Sequence, residues 1–275
     1  MLTIQTNVGS LQAQKNLNGV QKGLTTSFNR LSSGYRINSA ADDAAGLAIS
    51  DSFQAQIRSY SVAERNANDG ISMAQTAEGS LGQMTGLLQR MRELAVQSAN
   101  GSNSSTDRDY LNTEFKQLKA EIGRIQDSTK YDGNALIGAT TSSITFQVGI
   151  SSASTDQIAV TFGGLAMTTL LASAEVISGS NASAALAAID DIDDALGDVE
   201  TARARFGAVM NRFETTTSNI QTVRTNLAAA HSRIRDVDVA EESAALSRSQ
   251  VLSQAAAAVL AQANQAPQLA LGLLR

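Results

Sequence analysis

The chain has 275 residues and a formal net charge of -5 at pH 7, with one Pro, no Cys, no Trp and 4% aromatic residues. The missing cysteines exclude a disulfide framework and thiolate metal sites, and the acidic balance speaks against a nucleic-acid binder, which carries a basic face. So few large side chains supply a compact core poorly, whereas small residues suit close helix packing along a thin interface.

The opening MLTIQTNVGSLQAQ has neither a basic flank nor an uninterrupted apolar run, so it does not read as a conventional signal peptide. No stretch of about 20 apolar residues occurs, so no membrane insertion is expected and a secreted fate calls for a different export route. Leu17, Leu24 and Leu31 then recur every seven residues, with Val20 and Phe28 thickening the stripe, which predicts a helix over Ser10 to Leu31. Gly9, Gly19 and Gly23 weaken it, so it needs a partner to become ordered. Ser32, Ser33 and Gly34 mark its break, and Ser39 with Asp42 three residues later resembles a capping arrangement before Ala44, Leu47 and Ala48 begin the next apolar face.

From Tyr60 a heptad is set, with Tyr60, Ala67, Ala74, Leu81, Leu88 and Ala95 at one seam position and Ala63, Gly70, Ala77, Met84 and Met91 at the other. Leu87 and Leu94 widen that seam, as a helix with two neighbours requires. The polar run Asn100 to Ser105 ends it near Ser98. A third helix is expected from about Asp107 to Asp127, with Leu111, Phe115, Leu118, Ile122 and Ile125 on one face.

Asp132 and Gly133 mark a turn. Ile144, Phe146 and Val148, then Ile158, Val160 and Phe162, alternate with polar or small residues and predict two antiparallel strands joined through Ser151 to Asp156. Leu165 to Leu171 is ambiguous between turn and short helix, and Gly179, Ser180 and Asn181 precede the last long helical region.

That region holds a heptad from Ala185 to Val237. Ala185, Ile192, Val199, Phe206, Phe213, Ile220, Leu227 and Ile234 alternate with Ala188, Ala195, Ala202, Val209, Thr216, Val223, Ala230 and Val237, and only Thr216 is polar. Eight such heptads predict one continuous helix of roughly 80 Å, with Leu81, Leu88, Phe206, Phe213, Ile220, Leu227 and Ile234 in a rod core. Asp190, Asp191, Asp193, Asp194, Asp198 and Glu200 line its early part without calcium-loop spacing, so they read as a solvated acidic face and not as a metal site. Beyond Glu241, the residues Ala244, Val251, Leu252, Ala255, Ala256, Val259, Leu260 and Ala263 form a broad Ala-rich surface that Pro267 is expected to interrupt.

The fold expected is therefore mainly α: an elongated antiparallel helical bundle or coiled coil with a small β-hairpin region and paired N- and C-terminal helices. No catalytic, cofactor or metal residues stand out. His231 is the one histidine and sits beside a seam position, and the abundant serines lack a nucleophile elbow, so no enzyme is read here.

Three signatures go further: RLSSGYRINSAADDAAGLAIS at 30–50, RNANDGISMAQTAEGSLGQMTGLLQRMRELAVQSANG at 65–101, and AEESAALSRSQVLSQAAAAVLAQANQAPQLALGLLR at 240–275, with FGAVMNRFETTTSNI at 206–220 beside them. Together they resemble bacterial flagellin, the subunit of the flagellar filament, with Tyr35 and Ala41 standing where many relatives use Leu and Lys. The resemblance implies a short form with little outer domain. Residues 1–33 and 238–275 would form the two halves of an inner-tube domain, and 34–237 a rod-like domain with a hairpin region at about 140–165. It also implies assembly through the terminal helices, represented by Leu17, Leu24, Leu31, Val251, Val259 and Leu260.

Implied partners are other flagellin subunits, an export chaperone, the export apparatus, and cap and hook-junction proteins. A flagellin-sensing Toll-like receptor of a host is a further one, for which Gln89, Arg90, Glu93, Leu94, Gln97 and Glu114 are the contact residues the resemblance suggests. A hook-filament junction protein is the alternative reading, and an adhesive surface protein is disfavoured by the short centre.

Overall fold

A computed structural model describes residues 6–165, 167, 176–179 and 182–272, and side chains as far as residue 265. Its helices are α1 (Val8–Ser33), α2 (Ala44–Ala99), α3 (Ser105–Ser128), α4 (Ser183–Arg235) and α5 (Val239–Gly272). Between α3 and α4 lie the strands β1 (Lys130–Tyr131), β2 (Asn134–Ala135), β3 (Ser142–Gln147) and β4 (Gln157–Phe162). Contacts divide the chain into two compact units, Met1–Ile57 with Thr225–Arg275, and Arg58–Arg224.

In the first unit α1 packs on α5. The Asn7 side chain caps α1 by accepting from Ser10 N, and Gly34 closes it with φ 75°, a left-handed conformation open to glycine. Ser32 and Ser33 thus belong to the helix, and the break comes at Gly34 alone. The start of α2 also differs from the capping expectation. The Asp43 carboxylate accepts from Gly46 N at 2.9 Å and caps that helix, while Asp42 Oδ2 accepts from Ser39 N, Ser39 Oγ and Asn38 N and holds the preceding loop.

The long seam stops earlier than its heptads predict. The helix ends at Arg235, and Val237 lies outside it, because Gly34–Arg36 draws the chain into a bridge: Arg36 N donates to Arg235 O at 2.6 Å and Val237 N to Gly34 O at 3.0 Å. Asp238 then caps α5 by accepting from Ala240 N and Glu241 N. Tyr35 gains a role here, since the Arg235 guanidinium stacks 4.7 Å from its ring centre while reaching Asp51 at 2.9 Å. At the far end α5 runs through Pro267 to Gly272 instead of being interrupted.

The second unit holds the core. Ala67, Ala74, Leu81, Leu88 and Ala95, with Ala77, Met84 and Met91, are fully buried on α2, and Leu94 joins them. Facing them on α4 are Ala185, Ala188, Ile192, Val199, Phe206, Phe213 and Ile220. The two helices run antiparallel, as their ion pairs record: Glu64 meets Arg224, Glu78 meets Arg203 at 2.8 Å, and Asp193 meets Arg92 at 2.6 Å. Phe115, Ile122 and Ile125 of α3 complete the bundle.

The strands β3 and β4 pair antiparallel as expected, with Phe146 opposite Ile158 and Ile144 opposite Val160. Their aromatic residues dock on α4, Phe146 edge-on to Phe213 at 5.3 Å and Phe162 stacked on Phe206 at 5.5 Å. The Asp132–Gly133 turn also makes a second small hairpin, β1 with β2. Of the ambiguous Leu165–Leu171 segment only Leu165 and Met167 are described, both buried; Ser180 and Asn181 also lie outside the described residues.

A buried polar cluster fixes the return to α4. Arg108 is 4% exposed and donates to the carbonyls of Ser98, Asn100 and Gly179 at 3.0, 3.3 and 3.3 Å. Ser98 Oγ donates to Ile177 O, and Ile177 N donates to Asn112 Oδ1. A buried cation donating to three carbonyls satisfies acceptors at the end of α2, just beyond it and in the incoming strap together.

Candidate interaction surfaces

The described residues contain no group of three or more His, Asp or Glu placed to hold a metal ion. His231 is half-buried with its Nε2 unpartnered. The acidic residues of α4 face water apart from half-buried Asp191, and Asp193 is spent on Arg92 through two hydrogen bonds. What the molecule offers is surface.

One surface lies on α2 and α3. Arg90 Nη1 donates to Glu93 Oε2 at 2.9 Å within α2, and Arg90 Nε donates to Glu114 Oε1 on α3, also at 2.9 Å. The fork of one guanidinium thus spans two carboxylates, with Arg90 and Glu114 about half-exposed and Glu93 more so. The bonds to Glu114 first and Glu93 second raise the Arg90 pKa above its ordinary value. Gln89 and Gln97 are exposed beside it and, with Arg92, Glu93 and Val96, line a shallow groove of about 450 Å³. Leu94 does not share this face: at 1% exposure it points into the core with Leu88 and Met91.

Several residues here carried no sequence signal of their own. The Arg92–Asp193 pair crosses 101 positions, and Tyr110 and Leu186 are apolar side chains left 72% and 55% exposed. A pattern of buried positions cannot announce them, because each is an exception to it.

The other surface is the α1–α5 pair. Ser10, Ala13 and Ser27 are buried and Leu17, Leu24 and Leu31 half-buried along one stripe of α1, spaced as a helix facing a single neighbour requires. On α5 no described side chain is buried, and Leu260 is half-buried. Val8, Leu11 and Phe28 of α1 and Val251, Leu252 and Val259 of α5 remain exposed, most of them by more than half. As for the seam residues, Leu81, Leu88, Phe206, Phe213 and Ile220 are buried, whereas Leu227 and Ile234 are half-buried and belong to the first unit.

Comparison with known proteins bears on both surfaces. Residues 4–142 match the bacterial flagellin N-terminal helical region and residues 189–274 the bacterial flagellin C-terminal helical region. A flagellin of Halalkalibacterium halodurans is 46% identical over the full length of both chains. Flagellin D of Vibrio anguillarum is 35% identical over an alignment of 374 positions covering 99% of each, so many of its positions have no counterpart here. Among solved structures, the crystal structure of a Bacillus cereus flagellin covers 61% of this chain and 94% of its own, with 33% identity and a TM-score of 0.51.

Proposed function

The chain belongs to the bacterial flagellins, and from that membership we propose how its two surfaces are used. It is a structural subunit of the flagellar filament, secreted and extracellular, which polymerises with other flagellin subunits for motility and catalyses nothing. Residues 1–33 and 238–275 form the inner-tube halves that drive polymerisation, and 34–237 form the rod-like layer outside them. The observation that carries this is the α1–α5 pair, joined by a stripe yet with seven large apolar side chains, Val239 among them, still facing water. Covering each of them against neighbouring subunits contributes up to about 1.5–3 kcal/mol, burial that a lone chain lacks.

Export chaperone, export apparatus, cap and hook-junction proteins are the further partners of the same ends. The Arg90 cluster, with Gln89, Glu93, Gln97 and Glu114, is the face read by a flagellin-sensing Toll-like receptor of a host. A planar donor fork beside uncharged amides supports that use, because it combines directional hydrogen bonding with contact area.

The test is assembly. Purified full-length protein seeded with filament fragments should grow long hollow fibres at neutral pH under electron microscopy. Finite rings under conditions that extend known filaments would instead identify a hook-filament junction protein.

A further inference from the structure

Pro267 is the one proline of the chain and sits inside α5. A helical residue donates its N–H to the carbonyl four positions back, and proline has no N–H. The carbonyl left without its helical donor is that of Ala263. At 2.7 Å from that oxygen lies Nδ2 of Asn7, at the opposite end of the sequence.

The same carboxamide works twice. Its Oδ1 accepts from Ser10 N at 3.0 Å and caps α1, while its Nδ2 supplies the bond that Pro267 withholds. The reverse orientation is excluded chemically, since it would set an NH₂ against a backbone N–H and an oxygen against a carbonyl. Three residues on from Asn7 and one on from Ala263, Ser10 Oγ donates to Asn264 Oδ1 at 2.7 Å, and Ser10 is 8% exposed.

We propose that Asn7 is a register-determining residue, a latch that admits α1 onto α5 at one level only, the level of the carbonyl freed by Pro267. The need for such a device lies in α5 itself. Its Ala-rich face is nearly uniform along its length, so apolar packing alone discriminates weakly between the correct pairing and one slipped by a turn or a heptad. In the interior of a helix the other backbone carbonyls already accept from the N–H four residues on. A polar contact fixed at one level then selects the register, as one buried asparagine does in a coiled coil, and the Ser10–Asn264 bond and the Arg30–Glu242 ion pair at 3.4 Å accompany it in that same register. This goes beyond the use of the ends for assembly: it names the atom pair that decides how they pair.

Capping and latching are separable, because Asn, Asp and Ser are nearly equivalent caps while only Asn carries the amide donor. The critical concentration for seeded growth of full-length protein reads the difference. Asn7→Ser should raise it about fivefold, the size of one lost hydrogen bond. Asn7→Asp should raise it further by setting a carboxylate against the carbonyl. Pro267→Ala restores the backbone donor to Ala263, and in that background Asn7→Ser should shift the critical concentration by less than about twofold. If Asn7→Ser and Asn7→Asp assemble as the parent does, Asn7 is a cap and no latch. An equal penalty for Asn7→Ser with and without the proline would overturn the proposal as well.

Discussion

Gly70 faces Phe213 so closely that a Cβ there would lie 2.6 Å from the ring's Cζ, and that ring is in turn met edge-on by Phe146. A methyl group at Gly70 must push the ring into the hairpin or the helices apart. Gly70→Ala is therefore expected to destabilise the folded chain by about 1–3 kcal/mol despite its better helix propensity, a loss that urea denaturation would measure. Arg90 is the opposite kind of residue. Its two carboxylate partners are exposed with it, so Arg90→Ala should leave the thermal midpoint unchanged and lower the affinity of soluble monomer for the receptor. Unchanged affinity in the folded variant would remove Arg90 from that surface. Tyr35 shows how a residue escapes a sequence reading: its position against Arg235 depends on a bridge between chain segments 200 residues apart in number, and no local pattern encodes it.

Helix α3 opens on a reciprocal capping box, with Asp107 N donating to Ser104 Oγ and the Asp107 carboxylate accepting from Ser104 N and Ser104 Oγ. The hydroxyl first and the backbone N–H second hold the Asp107 carboxyl below its ordinary range. A depressed folded pKa means that this cap contributes in full above the unfolded carboxylate value near pH 4, and is lost as pH falls through the lower folded value. An NMR titration should find the Asp107 midpoint below that of an unstructured aspartate, and Ser104→Ala should return it upward. At this scale the sequence was informative wherever burial repeats. The seams of α2 and α4, the face of α3 and the β3–β4 pairing follow from periodicity because one face of each element is turned to the core over most of its length. It failed at ends. Ile234 and Val237 continue the heptad in spelling, yet the Gly34–Arg36 bridge ends the helix between them, and Pro267 looks like a stop although Asn7 fills the vacancy it leaves. Both outcomes are set by contacts more than 190 residues away, where tertiary hydrogen bonds override local preference.

For the molecule as a whole, the two units differ in how well each is buried. The unit from Arg58 to Arg224 owns the buried phenylalanines and the fully buried seam, whereas no described side chain of α5 in the other is buried. Amides of residues 6–33 and 239–265 should therefore exchange quickly in dilute monomer, while those around Phe206, Phe213 and Ile220 stay protected. On assembly the terminal amides should slow. Equal protection of both sets in the monomer would contradict the idea that the ends order on polymerisation.

The cluster of Arg108, Ser98 and Asn112 has one more consequence, which concerns cargo. Ile177 is tied through both its N–H and its carbonyl, and upstream Leu165 is buried with its carbonyl accepting from Gln126 Nε2 at 3.4 Å. The chain is thus moored on both sides of the stretch between them, and the two moorings share α3. Chain added between two fixed points becomes costlier only slowly with its length, by about 0.6 kcal/mol for each doubling. A foreign peptide spliced between residues 167 and 176 should leave the thermal midpoint and seeded growth almost unchanged, and Arg108→Ala should abolish that tolerance. The subunit would then serve as a carrier, displaying a chosen sequence once per protomer along a fibre.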